Sequence, residues 1–322
     1  MPSLKLSDIR ASNAAWKPAY IPVAIFVGGT SGIGQAVAET FARHTNGNAH
    51  IVLIGRNRTA AESILSKLPS PPKESPNLAR EFMSCDLTRV PNVHEIAAAL
   101  FKRFPQGINF LFLTAGAMSL SGLDLNEDGI DKQLASLYYS KWAFISDLLP
   151  ALRAAQAAEQ DARVSAIHTA GRGGPVDLCD IGLVDTMTNL GLTTAGKLIS
   201  HVSSYQDLMV ESFGERNSSI TFAHAFPGTV DTPIMKASPS RILRMVYPIR
   251  YLLVPPLWWA ISPEECGEKQ LYGLLNAPAG ASRISGDGTA MGPNGQNDET
   301  WAEARERLWA HTEEVVGKSV ST

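Results

Sequence analysis

Short apolar runs alternate along the chain with longer stretches in which apolar positions recur every three or four residues. Val23 to Val27 is the first run, wholly apolar, and predicts a strand buried on both faces. Ala36, Val37, Ala38 and Phe41 then make an apolar stripe and predict a helix over Ile33–Thr45. The same alternation predicts strands at Ala49–Ile54, Glu81–Cys85, Ile108–Leu113, Val164–Thr169 and Ile220–Phe226. Between them it predicts helices over residues 59–68, 90–104, Asp128–Gln156 (with Pro150 as a potential break) and Leu192–Phe213. Pro69–Pro76 reads as a proline-rich surface loop and Glu303–Val316 as a charged final helix carrying Trp309. Strands separated by helices of this length imply an α/β fold, a doubly wound parallel sheet of Rossmann type. One such domain accounts for residues 1–322, with residues 1–20 as an N-terminal extension and 300–318 as a C-terminal helix.

Composition narrows this picture without changing it. The chain has 322 residues, 44% hydrophobic and 18% charged, with net charge −3, which suits one large globular domain. A slightly acidic balance gives no electrostatic reason to expect nucleic acid. Cys85, Cys179 and Cys266 are too few and too scattered for a disulfide framework or a metal cluster, and a reducing, cytoplasmic setting fits them. Residues 1–20 are polar and mixed, unlike a signal peptide.

The first strand ends in glycines. Gly28, Gly32 and Gly34, with Thr30, Ser31 and Ile33 between them, join the strand to the helix. Glycine lets the backbone approach a pyrophosphate, and a helix N-terminus offers free N–H groups and partial positive charge. The end of the second strand meets the adenine ribose in such folds. There an acidic residue favours NAD, whereas an arginine pairs with the 2′-phosphate of NADP. Arg56 and Arg58 stand at that place, so the expected cofactor is NADP(H).

These residues resemble the short-chain dehydrogenase/reductase superfamily over roughly residues 20 to 235. The glycine loop from Val27 to Gly34 matches the family's own. Asp86-Leu87 matches the pair that holds the adenine, and Thr114-Ala115-Gly116 is similar to the Asn-Ala-Gly turn after strand four, with Thr in place of Asn. Pro227-Gly228 with Thr232 resembles the segment that closes over nicotinamide and pyrophosphate. The run Ser-Pro-Glu-Glu-Cys-Gly at 262–267 is similar to members from fungal natural-product pathways. The resemblance implies an oxidoreductase that interconverts ketone and alcohol. It implies cofactor contacts from Gly28, Thr30, Ser31, Gly32, Ile33, Gly34, Arg56, Asp86, Leu87, Ala115, Gly116, Lys197, Pro227, Gly228 and Thr232.

The catalytic part departs from the family, whose set is Asn, Ser, Tyr and Lys. Matching the spacing puts Lys at Lys197, Thr193 at the Tyr position, Thr169 at the Ser position, and Leu137 (or Ser136, one residue back) at the Asn position. Thr193, Thr169 and Lys197 are therefore the expected catalytic residues. An alkyl hydroxyl is much less acidic than a phenol and shorter, so Thr193 is no simple substitute for Tyr. Positioned acid–base catalysis is worth about 10²- to 10⁴-fold, so the missing acid matters. Substitute acids rank low. Alternation along the strand turns His168 away from Thr169 unless the strand has ended, and His201 and Tyr205 lie too far along the helix. Tyr138 and Tyr139, beside the Asn position, are weighed as acids against a core role, and buried aromatics are usually core.

Residues 233–262 form a long apolar segment with Ile234, Met235, Ile242, Leu243, Met245, Val246, Tyr247 and the run Tyr251–Trp259, interrupted by Pro239, Pro248, Pro255 and Pro256. It reads first as a flap over a bulky hydrophobic, natural-product-like substrate. Extra core with a homo-oligomer contact ranks second, and attachment to a membrane surface third. An alternative function is a non-redox enzyme of the same fold (cyclase, isomerase or dehydratase) that works by positioning its substrate.

Overall fold

The computed structural model describes residues 4–116, 119–191, 194–249, 251, 259–292 and 299–318. Its strands are β1 (Val23–Val27), β2 (His50–Gly55), β3 (Arg80–Ser84), β4 (Phe110–Leu113), β5 (Arg163–Ile167), β6 (Thr221–Ala225) and β7 (Gly280–Ile284). Its helices are α1 (Leu6–Ala15), α2 (Gly32–His44), α3 (Arg58–Leu65), α4 (Val90–Arg103), α5 (Lys132–Leu134), α6 (Ser140–Ala157), α7 (Val184–Thr188), α8 (Ala195–Arg216), α9 (Arg241–Val246), α10 (Pro263–Asn276) and α11 (Glu299–Lys318). The strands pair in parallel in the order β3-β2-β1-β4-β5-β6-β7.

Every residue of β1 is buried, because helices cover both faces of the sheet. Alternate side chains serve different cores. Val23, Ile25 and Val27 join Trp142, Phe144 and Leu208 on one face, and Ala24 and Phe26 join Phe41, Phe110 and Phe112 on the other. The Phe26 and Phe112 rings stack at 5.0 Å. Strand order reverses at β1, which has β2 on one side and β4 on the other. In open parallel sheets that switch leaves a crevice beyond the strands' C-terminal ends, and the glycine loop lies there.

Helices α1, α7, α9 and α10 and strand β7 were not foreseen. The extension contains α1, and α1 is anchored: Asn13 donates to the Glu268 carboxylate at 2.8 Å, Arg10 pairs with Glu264 at 2.9 Å, and Trp16 packs on Phe41 and Phe110. Helix α10 begins at a Ser262 cap followed by Pro263, and Ser262 Oγ accepts from the Glu265 N–H at 3.1 Å. Strand β7 is a polar edge strand whose burial shows no hydrophobic run. The predicted helix from Asp128 starts instead at Lys132, capped by Asp131, and turns π-helical over Ala135–Tyr139 before α6. Pro150 is exposed within α6 and does not break it.

Candidate active site

The crevice at the switch point is a cleft of about 220 Å³. Gly28, Thr30, Ser31, Gly32, Ile33, Gly34, Arg56, Asp86, Leu87, Ala115, Gly116 and Thr232 line it, as do Gly55, Cys85, Thr88, Thr114, Ser136, Pro233, Ile234 and Ala237. The loop that builds it needs glycine. Gly28 has φ +84°, and a Cβ there would stand 2.7 Å from the Ala115 nitrogen. Gly32 has φ +56° and would carry its Cβ 3.4 Å from Thr232. Thr232, some two hundred residues downstream, thus closes on the start of α2. Ser31 makes no side-chain cap to α2, so the helix opens with N–H groups turned toward the cleft.

The two arginines after β2 differ. Arg58 lies over the Phe82 ring at 5.0 Å and 3.7 Å from Glu62. Arg56 is exposed, lines the cleft, and has no hydrogen-bond or ion-pair partner among the described residues. Asp86 accepts from the Thr88 N–H and hydroxyl at 3.1 and 2.9 Å, which fixes the turn after β3. The cradle, the open helix end and the free guanidinium suit a dinucleotide phosphate.

The remaining expected residues are more scattered. Pro227 is buried and Gly228 (φ +79°) packs toward Gly286, so neither lines the cleft. Lys197 is exposed in the first turn of α8 and also lies outside the lining. Thr193 falls outside the described residues. Thr169 follows β5, the strand beside β4, and so leaves the sheet at the same edge as Thr114-Ala115-Gly116.

The Asn position resolves through the π-helical turn. Ser136 lines the cleft, whereas Leu137 packs against Gly116 and accepts a hydrogen bond from Gln206 at its carbonyl. Tyr138 and Tyr139 point away: their hydroxyls pair with Thr312 at 2.9 Å and His311 at 2.8 Å on α11. Both phenols are pushed upward, by burial above all, and serve to dock the last helix. For His168 the exception holds. Strand β5 ends at Ile167, and Thr169 Oγ1 lies 2.8 Å from His168 Nδ1. Sequence reasoning passed over Thr114 as a support: its hydroxyl donates to the Val27 carbonyl at 2.8 Å.

The segment after Thr232 contributes Pro233, Ile234 and Ala237 to the cleft wall and then forms α9. Its base is zipped where Ile261 donates its N–H to the Thr229 carbonyl at 2.9 Å. Of the predicted flap, residue 250 and residues 252–258 lie outside the described residues. Among the described residues, no helix is long and apolar enough to cross a membrane.

Comparison with known proteins agrees with this geometry. The short chain dehydrogenase family matches residues 22–159. Oxidoreductase AN1596 of Emericella nidulans is 30% identical over 275 residues, 85% of this chain and 78% of that protein. Oxidoreductase andH of Emericella variicolor is 28% identical over 92% of this chain and 82% of its own. Among solved structures, the NADPH-bound carbonyl reductase from chicken fatty liver superposes with TM-score 0.57 at 16% identity, covering 85% of this chain and 99% of its own. With a parallel sheet, a glycine cradle at its switch point and relatives of this kind, the chain belongs to the short-chain dehydrogenase/reductase family.

Proposed function

We propose that this protein is an NADP(H)-dependent oxidoreductase interconverting a ketone and an alcohol on a bulky hydrophobic substrate of natural-product type. The observation that carries the cofactor half is the Arg56 guanidinium lining the glycine cradle without a partner among the described residues, beside an Arg58 that is already engaged. A bound nicotinamide dinucleotide would supply or accept the hydride. The N–H groups at the start of α2 would hold its pyrophosphate, Arg56 its 2′-phosphate, and Asp86 with Leu87 its adenine end. Lys197 would hold the nicotinamide ribose, and Thr169 would orient the substrate oxygen. The apolar side chains that follow Thr232, with Ile234 in the cleft wall, support a hydrophobic substrate.

The test is a fluorescence titration with NADPH and with NADH, followed by an absorbance assay of α-tetralone reduction. NADPH binding with ketone-dependent loss of nicotinamide absorbance is the expected result. Absence of binding by either nucleotide would sink the oxidoreductase reading. Tight NADPH binding without redox turnover across ketones and alcohols would favour a cyclase, isomerase or dehydratase, a reading motivated by the absent phenol.

A further inference from the structure

The end of β5 carries a polar assembly whose residues lie outside the lining of the cofactor cleft. Thr169 Oγ1 and His168 Nδ1 are 2.8 Å apart. Both residues are pinned: the His168 N–H donates to the Ala225 carbonyl at 2.9 Å, and the Thr169 carbonyl accepts from the Arg172 N–H at 3.0 Å and from the Ser203 hydroxyl. Lys141, 1% exposed, reaches this point from α6 and donates to the Ile167 carbonyl at 3.2 Å and to Gln206 Oε1 at 3.0 Å. No described carboxylate lies within ion-pair distance of it. From β6 comes His224, fully buried, with Nδ1 2.7 Å from Asp207 on α8. Arg283 of β7 approaches the same carboxylate at 4.0 Å.

A lysine buried at a neutral carbonyl and a neutral amide is costly unless it serves something. Its neighbour supplies a reason. Burial first, then the charges of Lys141 and His224, hold His168 well below its ordinary 6.5, so it is a neutral base at physiological pH. Burial also brings Lys141 itself down to about 7. A neutral imidazole hydrogen-bonded to an alkyl hydroxyl removes the difficulty left by the missing phenol. The hydroxyl can pass a proton on without ever becoming an alkoxide.

We propose that His168 is the proton acceptor of this protein, acting through Thr169, with Lys141 as the buried cation held beside it. The inference rests on the oxidoreductase reading above. In alcohol oxidation the substrate O–H bond breaks and its proton passes to Thr169 Oγ1, while the Thr169 proton moves to His168 Nδ1 and thence to solvent. The substrate C–H bond breaks with its electron pair leaving as hydride to an oxidised nicotinamide dinucleotide, and the carbonyl forms. Reduction reverses each movement. Thr169 is the catalytic residue that touches substrate, and His168 acts at one remove.

The test uses the full-length protein, 1-tetralol and NADP⁺, with NADPH affinity measured alongside. His168→Asn keeps a side-chain group near the Nδ1 position but cannot accept the proton. We expect kcat to fall about 10²-fold or more, with KM and NADPH affinity within about threefold of wild type. The loss of activity toward low pH that titration of His168 imposes on wild type should vanish. Lys141→Met removes the cation that opposes protonation of His168, so the low-pH limb of kcat/KM should move up toward 6.5, and the NMR titration of the His168 ring should move with it. His168→Asn with near wild-type kcat, or a folded Lys141→Met with an unmoved limb and ring titration, overturns the proposal. The NMR arm needs no turnover, so it decides the dyad even where 1-tetralol is not oxidised. There, Thr169→Val must change the His168 Nδ1 nitrogen shift, and no change overturns the pairing. Failure to bind either nucleotide is a separate result and counts against the oxidoreductase reading alone.

Discussion

The Thr114 hydroxyl donates to the Val27 carbonyl oxygen at 2.8 Å, tying the turn after β4 to the end of β1. The same hydroxyl is a wall for the glycine loop, since a Cβ on Gly34 would fall inside it and inside the Gly28 carbonyl. Backbone cannot yield there as a flexible side chain would. Gly34→Ala should therefore cost about 1–3 kcal/mol by overpacking and abolish nucleotide binding. Thr114→Val should cost about 1 kcal/mol, the net worth of one hydrogen bond, and weaken binding only modestly. Thermal denaturation with a paired NADPH titration separates the two; a Gly34→Ala variant that binds normally would refute the cradle.

Arg56 is expected to set cofactor preference. A charge-assisted hydrogen bond is worth about 1.5–3 kcal/mol, roughly 10- to 100-fold in affinity. Arg56→Ala should weaken NADPH by that factor and leave NADH nearly unchanged, whereas Arg58→Ala should do little, because Arg58 is engaged by Phe82 and Glu62. Equal losses for both nucleotides would show that Arg56 does not read the 2′-phosphate.

Tyr138 and Tyr139, low-ranked candidate acids in the sequence, dock α11 in the fold. Tyr138→Phe and Tyr139→Phe each remove one hydrogen bond, to Thr312 and to His311. Each should lower stability by about 1 kcal/mol and leave kcat within about twofold. A hundredfold loss of kcat in either folded variant would reinstate that phenol as the acid.

Two ion pairs should give the stability–pH profile opposite slopes. Burial alone would raise the Glu268 carboxyl. Hydrogen bonds from His44 and Asn13 and the charges of His44 and Arg43 outweigh it and hold the group below 4.5. A depressed folded value contributes stability above the unfolded one and loses it as pH falls through the folded value. Glu268→Gln should be less stable near neutrality and flatter below pH 4.5. His94 is the reverse case. Its bond to Asp147 at 2.6 Å raises it above 6.5 against the opposing effect of burial, so its contribution is complete below 6.5 and fades as pH rises through the raised value. His94→Gln should remove that part of the alkaline decline. Melting temperatures across the range check both, and slopes unchanged by either substitution would contradict the assignment.

Ile234 tests the substrate side. It lines the cleft wall yet is 41% exposed, as expected of a residue awaiting an apolar ligand. Ile234→Ser should raise KM for α-tetralone about 10-fold or more at unchanged NADPH affinity, since one apolar contact in such a pocket is worth about 1–3 kcal/mol. An unaltered KM would move the substrate away from this wall.

The parallel sheet and its glycine-loop edge were legible in the amino-acid pattern. Buried parallel strands must be continuously apolar, and the glycines of residues 28–34 leave little conformational choice, so Val23–Val27 and the start of α2 were legible within a residue or two. Elements stabilised by partners distant in sequence were not. Strand β7 has no apolar run because it pairs only with β6 at the sheet edge, and α1 owes its place to Glu264 and Glu268 on α10. The site beyond the glycine cradle was set by the packed fold. It turned Ser136 into the cleft through one π-helical turn and drew Tyr138 and Tyr139 onto α11. By ending β5 at Ile167, it let His168 curl back onto Thr169 over a buried Lys141. Period and spacing fix a side chain's direction only while the strand or helix continues; where it ends, the packing of remote elements sets that direction.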